Sequence, residues 1–440
     1  MDHVFHTFPN EKPTESIVEG QGMYLYTNSG KKYLDFTAGT THNSILGFNN
    51  QQVIDGISKQ LHKISNIDKC WIDKNRTELS KLMVSQAPDD LNKVFFSGQS
   101  GSEACEAALQ LSFQSHFERG LKEKTYFISR TESYHGATIN SMACGGRTHL
   151  KYMEELWPKN HIKVPAHDPL HGPMENETPD MYLERSVSEF ESAINQVGPH
   201  KVSAFIGEPI MGGLQGDIPP HPDYWRRISE ICKANDIHLI IDEIYSGTGI
   251  SGKYFCCSWD QGAKPDFVLI GKTLGGGYAP LSIVVTSNKI EESIKNGHGR
   301  VSYSSTHQGH SLCVSAALAV QKYILENNLT EHTNSLGLYM KDVIRTELYE
   351  NDFFTSVHGR GLRFSLEYGS TDNYNLGEEL RFRLKQDFQI IIEAKWHRIG
   401  FRPAMICTKE LAEETLEKVI TTFKKVTSKY TPSFKTRLYV

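Results

Sequence analysis

Residues 265–277 read Pro265-Asp266-Phe267-Val268-Leu269-Ile270-Gly271-Lys272-Thr273-Leu274-Gly275-Gly276-Gly277. Four consecutive apolar residues between Pro-Asp and Gly predict a short strand buried on both faces, with one lysine at its end ahead of three glycines. Upstream, His238-Leu239-Ile240-Ile241-Asp242-Glu243 repeats the pattern, this time with an acid at the strand end. Val94–Phe96, Tyr126–Ile128, Val202–Gly207 and Ile283–Thr286 predict further buried strands, while Glu103–Phe117, Tyr224–Ala234 and Ser311–Glu326 carry helical apolar spacing. Strands alternating with helices predict an α/β fold, a mostly parallel sheet with helices on both faces. Such sheets bind ligands at the carboxyl ends of their strands.

A chain of 440 residues exceeds what one hydrophobic core usually serves, so two domains are expected. No internal repeat and no Pro/Gly/Ser linker separates them. The expected division is therefore interleaved: a small α/β domain from 1–60 plus 325–440, and a large domain over 61–324. Tyr24–Tyr26 and Tyr33–Phe36 around Asn28-Ser29-Gly30 predict a hairpin, and Lys409–Lys425 the last helix. Forty-seven basic against 52 acidic residues give a net charge of −5, which leaves little drive toward a phosphate backbone and argues against a nucleic-acid partner. No membrane span or secretory leader is recognisable, and eight cysteines without a C-x-x-C pair suit a reducing compartment. The expected location is cytoplasmic.

Three phosphate-binding patterns compete. Gly247-Thr248-Gly249-Ile250-Ser251-Gly252 matches G-x-G-x-x-G after a strand, but Asp242-Glu243 precede it and aromatic, turn-prone residues follow, so a dinucleotide site is disfavoured. Gly271-Lys272-Thr273 lacks the earlier glycine of a P-loop, because Asp266 stands there. Ser97-Gly98-Gln99-Ser100-Gly101-Ser102-Glu103 leads from a strand through small residues into a helix with capping-box spacing, a phosphate site or simply a structural cap.

Asp242 and Lys272 together suit one chemistry. A strand-end lysine can hold an aldehyde cofactor as a Schiff base, and a buried carboxylate keeps a pyridine nitrogen protonated. Tyr134-His135-Gly136 adds an aromatic face for a flat ring. Each residue also has a plainer reading: Asp242 as a turn cap, Lys272 as a surface lysine, Tyr134 as core packing. His307 and His310 have metal-site spacing but no third ligand at a recognisable interval, so no metal is expected.

In this order the segments resemble the class III pyridoxal-phosphate-dependent aminotransferases of fold type I. The resemblance runs from Gly22-Met23-Tyr24 and Gly30-Lys31-Lys32-Tyr33 through Ser100–Ala104, Tyr134-His135-Gly136, Glu208-Pro209, Asp242-Glu243 and Pro265–Gly277 to Thr306-His307, Arg360-Gly361-Leu362 and Arg402-Pro403. It implies pyridoxal 5′-phosphate as cofactor and ping-pong transfer of an amino group from an amine or amino acid to a keto acid such as pyruvate or 2-oxoglutarate. Lys272 is then the catalytic lysine that moves the proton, Asp242 the partner of the ring nitrogen and Tyr134 the stacking aromatic. The cofactor-binding set comprises Ser100, Gly101, Ser102, Tyr134, His135, Asp242, Tyr245, Lys272 and Thr306. Thr306 would come from the neighbouring subunit, which implies a homodimer. Glu208 falls on the substrate side, and Arg402, with Arg398 as rival, near a carboxylate-binding position. Tyr245 and Ile250 depart from the family pattern, where glutamine and arginine are common. Racemase, lyase and decarboxylase outcomes on the same fold remain alternatives, as do a nicotinamide oxidoreductase using Gly247–Gly252 and a cofactor-binding protein without turnover.

Overall fold

The computed structural model describes residues 3–5, 7, 15–88, 90–212, 216–371 and 374–432. Its centre is a seven-stranded sheet in the order Lys93–Gly98, Ser282–Thr286, Phe267–Ile270, His238–Asp242, Val202–Gly207, Tyr126–Arg130, His161–Val164. Ser282–Thr286 runs antiparallel to both its neighbours, and every other pairing is parallel.

Alternation along each strand distributes its side chains to two cores. Ile240, Leu269 and Val284 face the helix Gly101–Glu118, which brings the small residues Ala104, Ala107 and Ala108 down onto the sheet. Leu239, Ile241, Val268 and Ile270 face the opposite layer, where Trp225 and Ile228 from the helix Tyr224–Ala234 and Phe190 from the helix Pro179–Val197 pack. Burial on both faces is why these strands read as unbroken apolar runs. His161–Val164 escaped the sequence reading because it is a short edge strand with polar residues between its apolar ones.

The two ends of the chain meet. Ile17–Gln21, Tyr24–Thr27 and Lys32–Asp35 form an antiparallel meander, and Ile390–Ile391 pairs in parallel with its last strand. Phe354–Arg360, Arg363–Tyr368, Arg398–Phe401 and Glu393–Lys395 make a separate antiparallel sheet. Met23, Leu34 and Phe36 share one core with Leu366, Ile399, Leu416 and Val419, the last two from the helix Lys409–Thr427. Residues 1–2, 6, 8–14, 372–373 and 433–440 of the expected small domain lie outside the described residues. Among the described residues no helix is long and apolar enough to cross a membrane.

Candidate active site

A cavity of about 470 Å³ opens where the parallel strands end, against the returning C-terminal sheet. Its first wall is the start of the helix Gly101–Glu118. Ser100 is the N-cap: its hydroxyl accepts the Glu103 amide at 3.3 Å, while the Glu103 carboxylate accepts the amides of Ser100 at 3.0 Å and Gln99 at 2.7 Å. The amides of the first turn have no intrahelical acceptor, and the helix dipole adds positive potential there. A Cβ on Gly101 would come within 2.8 Å of the Ile244 side chain, so glycine lets the helix start lie against the turn that carries Asp242. Ser102 Oγ accepts the Ala137 amide at 2.9 Å, which ties this cup to the loop after Tyr134.

Asp242 and Lys272 both line the cavity. Asp242 accepts the Ile244 amide at 3.0 Å on one oxygen and His135 Nδ1–H at 2.7 Å on the other. Burial alone would lower the His135 pKa, but the hydrogen bond and charge of Asp242 outweigh it and raise it. The neighbouring Glu243 turns away from the cavity: it caps the amides of Cys256 at 2.6 Å and Cys257 at 2.8 Å, and burial pushes its carboxyl up to about 7. Lys272 is a non-glycine residue at φ +30°, a strained conformation of the kind that costs about 1–3 kcal/mol and gathers at working sites. Burial depresses its amine pKa, with the Asp242 charge opposing that shift. Lys272 Nζ lies 5.9 Å from the Tyr134 ring centre and 5.4 Å from that of Tyr245.

On the far side Glu208, whose carboxyl burial raises in pKa, stands 3.7 Å from Arg130. Tyr245 lines the wall and donates its hydroxyl to Asp217 at 2.8 Å. Arg402 does not line the cavity. It is fully buried behind Tyr245, with Nη2 on Asp217 at 2.6 Å and Nε 3.3 Å from Glu393, so its charge is already met. Arg398, the rival, is also buried and does not line the cavity. Thr306 sits in an exposed turn away from this chain's cavity. The remaining sequence-derived residues, Ser100 to Ser102, Tyr134, His135, Glu208, Asp242, Tyr245 and Lys272, converge on one cavity.

His42, Arg147, Glu393 and Lys395 also line it. Burial, with the charges of Arg363 and Arg402, lowers His42 to about 3 and keeps it neutral. Glu393 is held at about 2 by Arg402 and Lys395 although burial opposes them. Arg147, Glu393 and Lys395 were not singled out from sequence and belong to no motif; only tertiary folding brings them in. Gly247–Gly252 lie elsewhere, buried against Thr330 and Asn334, and lead into the short turn Cys256–Trp259 rather than a helix, so they form no dinucleotide site. Among the described residues no cluster of three His, Cys, Asp or Glu could hold a metal.

The donor set fits a ligand with an anionic group for the helix start, a carbonyl within reach of a buried amine and a basic ring nitrogen for Asp242. The profile of the class-III aminotransferases matches residues 8–423. The aminotransferase YodT of Bacillus subtilis is 31% identical over 79% of this chain and 78% of its own length. Gamma aminobutyrate transaminase 2 of Solanum lycopersicum is 33% identical over 80% of this chain and 77% of its own. The omega transaminase of Pseudomonas jessenii, solved in complex with PMP, superposes with a TM-score of 0.90 at 26% identity, covering 97% of both chains.

Proposed function

The chain belongs to the class-III aminotransferases, enzymes of fold type I that use pyridoxal 5′-phosphate, and from that premise we propose which of its residues carry the transamination. The observation that bears most weight is the half-buried, left-handed Lys272 sharing one cavity with the Asp242–His135 pair.

When bound, the cofactor supplies an aldehyde that takes up the amino group and a protonatable ring that accepts electrons from the substrate carbon. Lys272 carries the aldehyde between turnovers. Burial lowers its amine pKa against the opposing charge of Asp242, and Nζ, freed from the cofactor, would take a proton from the amine-bearing carbon and return it. Asp242 keeps the ring nitrogen protonated, and His135 fixes the carboxylate's orientation. Tyr134 stacks on the ring. Ser100, Gly101 and Ser102 receive the phosphate at the helix start. Tyr245 walls the ring's surroundings and Glu208 borders the substrate. Arg402 we assign to holding Tyr245 and Glu393 in place, because it is fully buried behind Tyr245 and ion-paired to Asp217 and Glu393.

The acceptor is a keto acid. We further propose a homodimer in which Thr306 reaches the other subunit's phosphate, a cytoplasmic location, and the division into 1–60 plus 325–440 and 61–324. The shared core of Met23 with Val419 supports that division, and eight free cysteines suit a reducing compartment. Borohydride reduction of the holoenzyme followed by peptide mapping tests the central assignment. A label on Lys272 is expected, and Lys272→Ala should lower turnover by roughly 10²–10⁴-fold. A label on another lysine defeats it.

A further inference from the structure

The charged groups lining the cavity are nearly all matched. Asp242 has His135 at 2.7 Å, Glu208 has Arg130 at 3.7 Å, and Glu393 has Lys395 at 3.0 Å and Arg402 at 3.3 Å. Arg147 is different. Among the described residues no carboxylate lies within 4.0 Å of it, and its Nε is buried without a hydrogen-bond partner. Its guanidinium carbon lies 3.7 Å from the centre of the Tyr134 ring. The Gly146 amide donates to Ser133 O at 2.8 Å, tying the turn that carries Arg147 to the one that carries Tyr134. An arginine held over an aromatic ring keeps its in-plane N–H edge for a planar anion, which is the geometry a carboxylate needs.

We propose that Arg147 is the receptor for the carboxylate of the acceptor substrate, and so a determinant of which carbonyl compounds the enzyme takes. This rests on the transaminase reading above. Arg402 is unsuited to the task, since it is fully buried outside the cavity lining, its charge is met by Asp217 and Glu393, and its guanidinium lies against the Tyr245 ring. Lys272 is committed to the cofactor aldehyde. Arg147 is then the cavity's remaining cation without an acidic partner among the described residues. A half-buried guanidinium with a buried, unpartnered Nε carries an unmet hydrogen-bonding cost, which a carboxylate arriving from solvent removes in the bound complex.

Pyruvate and pyruvamide share a skeleton and differ in charge, so the pair isolates the carboxylate. With one amine donor held saturating, Arg147→Gln is expected to raise KM for pyruvate by roughly 10- to 100-fold, the loss of one charge-assisted contact, while KM for pyruvamide stays within about threefold. Arg147→Lys should recover part of the loss, because it restores charge without the fork. Titration of the holoenzyme with propionate, followed calorimetrically, reads the same contact without turnover and should weaken by a similar factor in Arg147→Gln. Equal KM changes for both acceptors, or propionate binding that Arg147→Gln leaves unaltered, overturns the proposal. The competing anion is the cofactor phosphate. If Arg147→Gln weakens cofactor affinity about tenfold or more and both acceptors suffer alike, Arg147 serves the phosphate and the proposal falls. A wild-type enzyme that aminates neither acceptor would instead defeat the transaminase reading, and the propionate titration would still judge Arg147.

Discussion

Asp217 lies at the bottom of the substrate side and does three things with two oxygens. It accepts the Tyr245 hydroxyl at 2.8 Å, the Ser365 hydroxyl at 2.8 Å and Arg402 Nη2 at 2.6 Å, with no exposure to solvent. Asp217→Ala removes all three at once. The two hydrogen bonds to the charged carboxylate are each worth about 1.5–3 kcal/mol, and stripping one partner from a buried ion pair costs about 3–5 kcal/mol, so the orphaned arginine is the largest single loss. Glu393 remains 3.3 Å from Arg402 Nε and offsets part of that loss. Asp217 also sits at φ +68°, where alanine is less at ease than aspartate. The expected destabilisation is at least about 3–5 kcal/mol.

Chemical denaturation of Asp217→Ala, Arg402→Met and the double variant closes a cycle that separates charge from packing. The double variant should be less destabilised than the singles' sum by about 2–3 kcal/mol, because it leaves no unmatched charge once Lys395 retains Glu393 at 3.0 Å. Asp217→Asn, which tolerates the backbone and keeps a hydrogen-bond acceptor, should fall between wild type and alanine. Tyr245 loses its anchor in the alanine variant, so KM for the acceptor should rise with the stability loss. A destabilisation below about 1 kcal/mol, or strict additivity in the cycle, would refute the claim that this ion pair holds the wall in place.

Asp242→Asn should retain cofactor, since asparagine can still accept the Ile244 amide, yet lose about 10- to 100-fold or more in turnover; near-normal rates would contradict the ring-nitrogen role. His171 bridges Asp168 and Glu367 at 2.8 Å each, and these two hydrogen bonds raise it to about 10 against burial. A folded-state value above the unfolded one means the contribution is complete below about pH 6.5 and is lost as pH climbs toward about 10. The thermal midpoint of His171→Gln should therefore converge on that of wild type across this window, and parallel pH profiles would exclude the bridge as its source. Sedimentation of the holoenzyme should report a dimer; a fully active monomer would remove Thr306 from the phosphate site.

The legible parts of this molecule are those whose physics is local. Val202–Gly207, His238–Asp242 and Phe267–Ile270 coincide residue for residue with the sequence reading because a strand buried on both faces carries a short, largely apolar run. The Ser100 cap was readable because its partner is three residues away. Adjacency could not tell Asp242 from Glu243: the turn after the strand sends the first into the cavity and the second to the amides of Cys256 and Cys257. Arg402 illustrates the limit more sharply. Its place in the chain is where a carboxylate receptor was expected, but its actual partner, Asp217, approaches from a segment far away in sequence, and nothing in either stretch announces the pair. Arg147 is the converse, an unremarked arginine after two glycines that becomes significant only when Tyr134 lies beneath it and no acid among the described residues arrives to match it. Charge pairing in a cavity is a property of the closed fold, so the residues that select a substrate become readable only after the ones that bind the cofactor.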